Sequence, residues 1–592
     1  MKLSDYIIST LSNYTKHVFL IPGGGCIHLV DSLGKSDITS IPTLHEQGAA
    51  ICAESYGQYT NKLGVALVTT GPGATNAITG VASAWLESVP MLLITGQVQN
   101  KDRVHDRGVR QIGFQEIDST SIYKNITKLS ITVDNPKDIR YYLEKAIYVA
   151  THGRPGPVVL DIPLDIQAAE IEPDDQVSYI PKVDQYNCTI NFKQLSKDLS
   201  KAKRPILLVG NGVRLADAIP EFNEFIEKTG IPVLTTWKTV DLLDENHPQY
   251  VGRPGGVGQR GANFNQQNSD FIITVGARLD YGQLAYQPKY FAREATRCIV
   301  DIDINEINKL GIDIHYPINL DAKRFFIEIN KVAKPLKIKK WLNHSKKTYK
   351  KYPVIVKDYL KLNKDFVSNY ALINHLSELL PSDALIIPGS SGACSEVTNQ
   401  SFRCKKGQRL YNSHGLGSMG FGIPAAIGGC IASNFKPTIS IDGDGGFFMN
   451  IQELELVYRY NLPIKFFILN NNGYGSIKTT QNTHFGGHLV ASDPSSGLTL
   501  PSIELNAKAY KIPYKKITNQ INLKSKIKKV LNISGPLICE VIVDENHTTL
   551  PKASVYKTKD GKFTTRPMED LFPFLDSEEF LDNLFIKPIS YE

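Results

Sequence analysis

Residues 440–476 read SIDGDGGFFMNIQELELVYRYNLPIKFFILNNNGYGS, and this stretch decides the fold class. The apolar run from Thr438 to Asp442 reads as a buried strand that stops at Gly443-Asp444-Gly445-Gly446. A helical pattern follows, with Leu454, Val457 and Tyr458 on one face, until Asn461-Leu462-Pro463 breaks it. Ile464 to Leu469 is a second buried strand, delivering Asn470-Asn471-Asn472. A strand–helix–strand unit places its two loops on the same edge of a parallel sheet. There Asp444 and Asn471 can meet on one hard cation. Gly443, Gly445 and Gly446 let backbone N–H groups and a helix N-terminus face an anion. Oxygen ligands, an octahedral ion and a diphosphate make a magnesium arrangement. Gly-Asp-Gly alone is more often a turn; the strand-borne asparagines at this distance give the motif its specificity.

The pattern resembles the diphosphate-binding motif of thiamine-diphosphate (ThDP) enzymes. The resemblance implies that Asp444, the Asn471 side chain and the Gly473 carbonyl hold Mg2+ on the cofactor's diphosphate.

Bulk properties narrow the classes. A chain of 592 residues is too long for one core, and about three or four domains are expected. Composition is that of a globular protein, 42% hydrophobic and 21% charged, and no apolar run has the length of a membrane span. The net charge of +7 is small for this size, and much of it sits in Lys331 to Lys351, which reads as a solvated linker and not a nucleic-acid footprint. Eight cysteines without metal-ligand spacing fit reduced thiols, and the amphipathic N-terminus lacks a small-residue cleavage site. A cytoplasmic protein with no membrane and no nucleic-acid partner is the expectation.

The rest of the chain repeats the opening pattern, giving an α/β protein of three doubly wound parallel-sheet domains. Residues 1–170 carry strands at His17 to Pro22, Ile41 to Leu44, Val65 to Thr70, Met91 to Thr95 and Val158 to Ile162, with a helix from Gly71-Pro72-Gly73 through Trp85. Residues about 170 to 190 read as a linker. The block 190–335 has strands at Pro205 to Val209, Phe271 to Val275 and Arg297 to Ile304, ending in phosphate-friendly loops. The third block is 358–545, and the tail 546–592 has no pattern that gives it a role. Gly71-Pro72-Gly73, helix, Val89-Pro90, strand parallels Gly443-Asp444-Gly445, helix, Leu462-Pro463, strand, as two domains of related topology would.

Leu44-His45-Glu46-Gln47-Gly48-Ala49, followed by Gly71-Pro72-Gly73-Ala74-Thr75-Asn76, resembles the pyrimidine-binding domain of acetohydroxyacid (acetolactate) synthases. A glutamate at a helix start is favoured by the macrodipole alone. The resemblance implies more: Glu46 bonds N1′ of the aminopyrimidine and activates the thiazolium, with Pro72 and Asn76 beside the cofactor. It places Gly25, Phe114 and Gln115 next to the substrate, Gln115 as a neutral donor to a keto-acid oxygen. It also makes the Gly417 carbonyl, the Met419 N–H and side chain, and Met449 partners of the cofactor. Arg154, Gly276, Arg278 and Asp303 fall where flavin-binding members contact FAD; an adenine nucleotide or an empty domain is the alternative.

Two departures bear on the acceptor. The synthases usually carry a lysine where this chain has Leu164, and a tryptophan where it has Thr480. The segment Arg103 to Ile112 and Arg566-Pro567-Met568-Glu569-Asp570 resemble a surface-polysaccharide-associated subgroup, some members of which act on a nucleotide-linked keto sugar. The implied activity is decarboxylation of a 2-keto acid, most simply pyruvate, and transfer of its two-carbon unit to an acceptor carbonyl. Acetolactate synthase, 2-hydroxyacyl-CoA lyase or decarboxylase, and a non-catalytic scaffold are the alternatives. Family sites lie between subunits, so a homodimer or homotetramer is expected.

Overall fold

Short continuous runs of aliphatic and β-branched residues, with no polar alternation, suit strands covered on both faces. The computed structural model, which describes residues 1–181, 190–390, 392–557, 561 and 563–589, builds three sheets from them. The first has six strands: β1 (His17–Leu20), β2 (Thr39–Pro42), β3 (Gly64–Val68), β4 (Met91–Gln97), β5 (Leu129–Thr132) and β6 (Pro157–Pro163). The second has five: β7 (Pro205–Val209), β8 (Val233–Thr235), β9 (Phe271–Val275), β10 (Thr296–Asp301) and β11 (Tyr316–Asn319). The third contains β12 (Leu385–Pro388), β13 (Arg409–Leu410), β14 (Thr438–Gly443), β15 (Ile464–Asn470), β16 (Tyr514–Ile517) and β17 (Leu537–Ile542). Every pairing in the three sheets is parallel.

The first sheet runs β2-β1-β3-β4-β6-β5 and the third β13-β12-β14-β15-β17-β16, which is one topology used twice. Gly71 and Gly443 therefore occupy similar places, just past and at the carboxyl end of the third strand in sequence of their sheets, as the paired glycine motifs suggested. The second sheet, β11-β10-β9-β7-β8, differs.

The first and third sheets share a core. Helix Glu46–Thr60 lies against helix Gly422–Ala432, with Ala49, Cys52, Ala53, Ala426 and Ile427 buried between them. Gly428 permits this approach: a Cβ there would stand 2.2 Å from the Cys52 carbonyl oxygen. Ser55 Oγ donates to the Ala425 carbonyl at 2.7 Å across the same seam.

Several expectations change. The lysine-rich stretch is not a linker: Lys339–Lys351 is a helix whose Trp341 is buried, its indole N–H donating to the Pro205 carbonyl at 2.9 Å. Lysines on the outer face hid that stripe. In the opening unit, residues Phe448–Glu453 form a 3-10 segment before helix Leu454–Arg459; Leu454 and Val457 are buried but Tyr458 is 46% exposed. The helix after Gly71 is two, Pro72–Asn76 and Ile78–Glu87. Of the expected linker at about 170 to 190, residues 182–189 lie outside the described residues. The tail runs over the second sheet's domain, with a hairpin of β18 (Val555–Lys557) and β19 (Phe563–Thr565). It is anchored by Arg293, which pairs with buried Glu569 at 2.6 Å, and by Arg260, which donates to the Leu571 carbonyl at 3.1 Å. No helix among the described residues is long and apolar enough to cross a membrane.

Candidate functional site

In open α/β sheets ligands bind beyond the carboxyl ends of the strands. At that end of β14, Asp444 opens a short helix, Asp444–Phe447, and its Oδ1 accepts the Gly445 N–H at 2.8 Å. Its Oδ2 accepts the Gly473 N–H at 3.2 Å, from the loop after β15. The amide oxygen of Asn471 faces Asp444 Oδ1 at 3.1 Å and the Gly473 carbonyl oxygen at 2.8 Å. Three acceptors this close need either a rotated amide, whose NH2 would bond both partners, or a cation among them. Neighbouring ligands of an octahedral magnesium, with bonds of about 2.1 Å, stand about 3 Å apart. The donor set therefore fits Mg2+. It contains a single carboxylate, consistent with the absence of any metal-competent group of three or more His, Cys, Asp or Glu among the described residues.

Burial pushes the Asp444 carboxyl up to about 6, against the pull of the backbone N–H groups around it. Asp442, beneath the loop, is pushed by burial to about 7 and its Oδ2 has no partner. The glycines make room. A Cβ on Gly445 would meet the Tyr474 ring at 2.5 Å, and one on Gly446 would meet Asp442 Oδ1 at 2.7 Å, while Gly443 faces open space. That surface of bare backbone suits a diphosphate. The Met419 side chain reaches the Gly445 position, its Cε 3.1 Å from a Cβ placed there, and Gly417 takes φ +66° two residues earlier. Met449 is 45% exposed next to Gly420. These six residues, with the metal set, form one cluster.

A second cluster sits beyond the carboxyl ends of β1, β2, β3 and β4. Glu46 starts helix Glu46–Thr60, capped by His45, whose Nδ1 accepts the Gln47 N–H at 3.1 Å. Asn76 Nδ2 donates to Glu46 Oε2 at 3.0 Å, and Pro72 is exposed at the start of the same helix as Asn76. Gly71 has φ +60°, and a Cβ on it would stand 2.4 Å from the Gln115 carbonyl oxygen. Gln115 itself is held at φ +65°. Gly25 donates to Thr69 Oγ1 at 3.1 Å, and its carbonyl accepts from Gln167 Nε2 at 2.7 Å. Phe114 is 85% exposed, so it fills no core in its own chain. Among the described residues, Glu46 bonds through its carboxylate to Asn76 alone, and no hydrogen bond joins it to Asp444. Leu164 begins helix Leu164–Ala168, which also carries Gln167. Thr480 lies exposed on helix Gly475–His484, which buries no residue.

The third feature is a cavity of about 560 Å³ between the second sheet and its neighbours. Arg154, Gly276 and Arg278 line it, but Asp303 does not. Asp303 instead accepts Arg154 Nη1 at 2.9 Å, while Asp280, Asp301, Glu306 and Asp321 are among the carboxylates of the lining. Burial pushes the Asp301 carboxyl up to about 6. Gly212 and Gly276 touch, a Cβ on Gly212 lying 2.6 Å from the Gly276 Cα, so two strand-end loops cross with bare backbone. Volume, bare backbone and acidic acceptors for sugar hydroxyls suit a dinucleotide. Lys238, Glu87 and the tail residues Lys552, Val555 and Thr565 also line the cavity, and none was foreseen from sequence. Only for Asp301 was there a signal, the alternation Asp301-Ile302-Asp303.

Comparisons with known proteins match each of the three domains. Residues 1–122 match the thiamine pyrophosphate enzyme N-terminal TPP binding domain, 192–329 the central domain and 390–541 the C-terminal TPP binding domain. The chain is 32% identical over 559 residues to a probable acetolactate synthase large subunit of Methanocaldococcus jannaschii, covering 92% of each. It is 32% identical to the acetolactate synthase large subunit of Lactococcus lactis, covering 93% of each. It is also 33% identical over 545 residues to the isozyme 2 large subunit of Escherichia coli, covering 90% of this chain and 94% of that one.

Proposed function

The chain belongs to the acetolactate synthase-like family of thiamine pyrophosphate enzymes, and from that premise we propose that it removes CO2 from a 2-keto acid, most simply pyruvate, and joins the two-carbon unit to an acceptor carbonyl. The observation that carries the reading is the meeting of the Asp444 carboxylate, the Asn471 side-chain amide and the Gly473 carbonyl at the edge of β14 and β15. Those atoms would hold Mg2+ and, with Gly443, Gly445 and Gly446, the diphosphate. When bound, the thiazolium supplies the electron sink for decarboxylation and carboligation. Glu46 would hold a proton at N1′ of the pyrimidine, and the Gly417 carbonyl and Met419 N–H would fix that ring. Gln115 would donate to the keto-acid oxygen without adding charge. CO2 release from pyruvate, measured with and without ThDP and Mg2+, tests the reading. Strict dependence on both is expected, and release without ThDP would overturn it.

Glu46 and Asp444 lie in separate clusters of one chain, which supports a homodimer as the smallest active unit, with a homotetramer as its doubling. The cavity residues support FAD. Because decarboxylation and carboligation exchange no net electrons, a yellow protein whose flavin stays oxidised through turnover is expected. A colourless protein after FAD reconstitution would leave the cavity to another ligand.

The acceptor has two readings. The similar proteins named above are acetolactate synthases, which supports a second keto acid. Leu164 and Thr480, where the resemblance expects lysine and tryptophan, support a wider and uncharged channel for a bulkier ketone such as a nucleotide-linked keto sugar. A competition assay with pyruvate as donor decides: if kcat/KM for simple keto acids exceeds that for every sugar, the second reading fails.

A further inference from the structure

Glu453 ends the 3-10 segment Phe448–Glu453, in the same unit as Asp444, yet it reaches across to the start of the helix that begins with Glu46. Its carboxylate is fully buried and accepts the Leu44 N–H, at 3.1 Å to Oε2 and 3.3 Å to Oε1. Gln452 Nε2 supplies a further contact at 3.4 Å. Gly48, in the first turn of that helix, has no side chain because Glu453 occupies the space: a Cβ would stand 2.3 Å from its Oε1. The chain therefore places a carboxyl group of the third domain inside the first turn of a helix of the first. Glu46 has one side-chain tether of its own, Asn76. The direction in which its carboxylate leaves the helix is fixed by that tether and by the turn Leu44 to Glu46, which Glu453 grips by the backbone.

We infer that Glu453 is a positioning residue for Glu46: by holding the Leu44–Glu46 turn it aims the activating carboxylate. The inference rests on the reading of Glu46 given above. It has a topological consequence. Asp444 and Glu453 belong to one strand–helix–strand unit, so a chain that closes this loop on its own cofactor's diphosphate also acts on the glutamate it presents to the partner's cofactor. A buried polar contact at this seam has a purely structural alternative, namely holding two domains together. That alternative lowers melting temperature and cofactor affinity but leaves the rate of C2 proton loss from bound cofactor unchanged.

The test uses the full-length protein with ThDP and Mg2+. Glu453→Gln keeps the size and one acceptor oxygen; Glu453→Ala removes both. Calorimetry should give ThDP affinity within about threefold of wild type for both variants. Hydrogen–deuterium exchange at C2 of the bound cofactor, followed by acid quench and NMR, should slow about tenfold in Glu453→Gln and about a hundredfold in Glu453→Ala, the scale expected when a reacting group is misplaced by about 1 Å. Exchange at the wild-type rate in folded Glu453→Gln and Glu453→Ala overturns the inference, as does an exchange loss matched by the loss in affinity. If the alanine variant does not fold, the glutamine variant decides alone. Glu46→Gln, run in parallel, separates the two claims. Fast exchange there removes the reading of Glu46; slow exchange there with fast exchange in the Glu453 variants removes only the positioning role.

Discussion

Lys238 and Glu87 form a 3.0 Å ion pair at the junction of all three sheets' domains, on the wall of the cavity. Lys238 also donates to the Asn412 carbonyl at 2.7 Å, and Glu87 accepts the Gly415 N–H at 2.6 Å. The pair thus brackets the loop that continues to Gly417 and Met419. Burial pushes the Glu87 carboxyl up, but the Lys238 and Arg278 cations outweigh it and hold it below its ordinary value. Lys238→Met would leave a buried carboxylate facing one cation fewer, beside Glu54, which burial already pushes to about 8. A loss of about 3 kcal/mol is expected, read from urea unfolding, together with weaker ThDP binding in calorimetry. A variant as stable as wild type would show that the pair is spectator to the junction.

If the active unit is a dimer with crossed sites, two dead chains should rescue each other. Glu46→Gln keeps Asp444, and Asp444→Ala keeps Glu46. A heterodimer of the two has one site with both residues intact. Random mixing after dissociation and reassociation should restore about a quarter of wild-type turnover, since half the dimers are mixed and each has one good site. No rescue would place Glu46 and Asp444 of one chain at the same site.

Asp161 offers a pH prediction. It lies fully enclosed between strands, accepting Thr95 Oγ1 at 2.6 Å, Thr132 Oγ1 at 3.0 Å and Gln97 Nε2 at 3.2 Å. Burial raises its pKa from 3.8 to about 6 despite those donors. The folded state therefore binds the proton more tightly than the unfolded chain, and stability falls as pH rises from about 4 to about 6, then levels. The whole step is on the order of 3 kcal/mol. Asp161→Asn should flatten that part of the urea-midpoint profile. An unchanged slope would assign the titration elsewhere.

At the seam of the shared core, Gly428→Val would force a side chain against the Cys52 carbonyl, 2.2 Å from the new Cβ. Overpacking of this kind costs about 1–3 kcal/mol when neighbours can yield, and backbone cannot. A fall in melting temperature of at least several degrees is expected from calorimetric scans; none would mean that the two helices can slide apart.

What could be read from the sequence follows from how local the cause is. Phe271–Val275 and Pro205–Val209 stand as expected because a short run of aliphatic residues between turn formers has few other solutions. Asp444 and Asn471 were legible because their loops follow two adjacent strands, which fixes the edge they share. The helix Lys339–Lys351 was not, since one Trp341 had to outweigh six lysines. Asp301 and Asp303 are separated by one residue, and strand geometry decides which carboxylate faces the cavity only after the strand ends are known. Glu453 gave no signal because its partner, Leu44, is 409 positions away.

The tail hairpin has a consequence for how the protein is made. Lys552, Val555 and Thr565 are wall, but the glycine loops of Gly212 and Gly276 that the cavity is built around are synthesised some 300 residues earlier, at the ordinary pace of a ribosome tens of seconds before. During that interval the site lacks its tail wall, and until Glu396, His414 and Gly415 are made it lacks its third-domain wall as well. A large ligand can reach the glycine loops from solution before Lys552, Val555 and Thr565 pack against them. Loading and release are thus unequal events: entry can precede the tail wall, whereas exit from the finished protein is past a tail that Arg260 and Arg293 help hold in place.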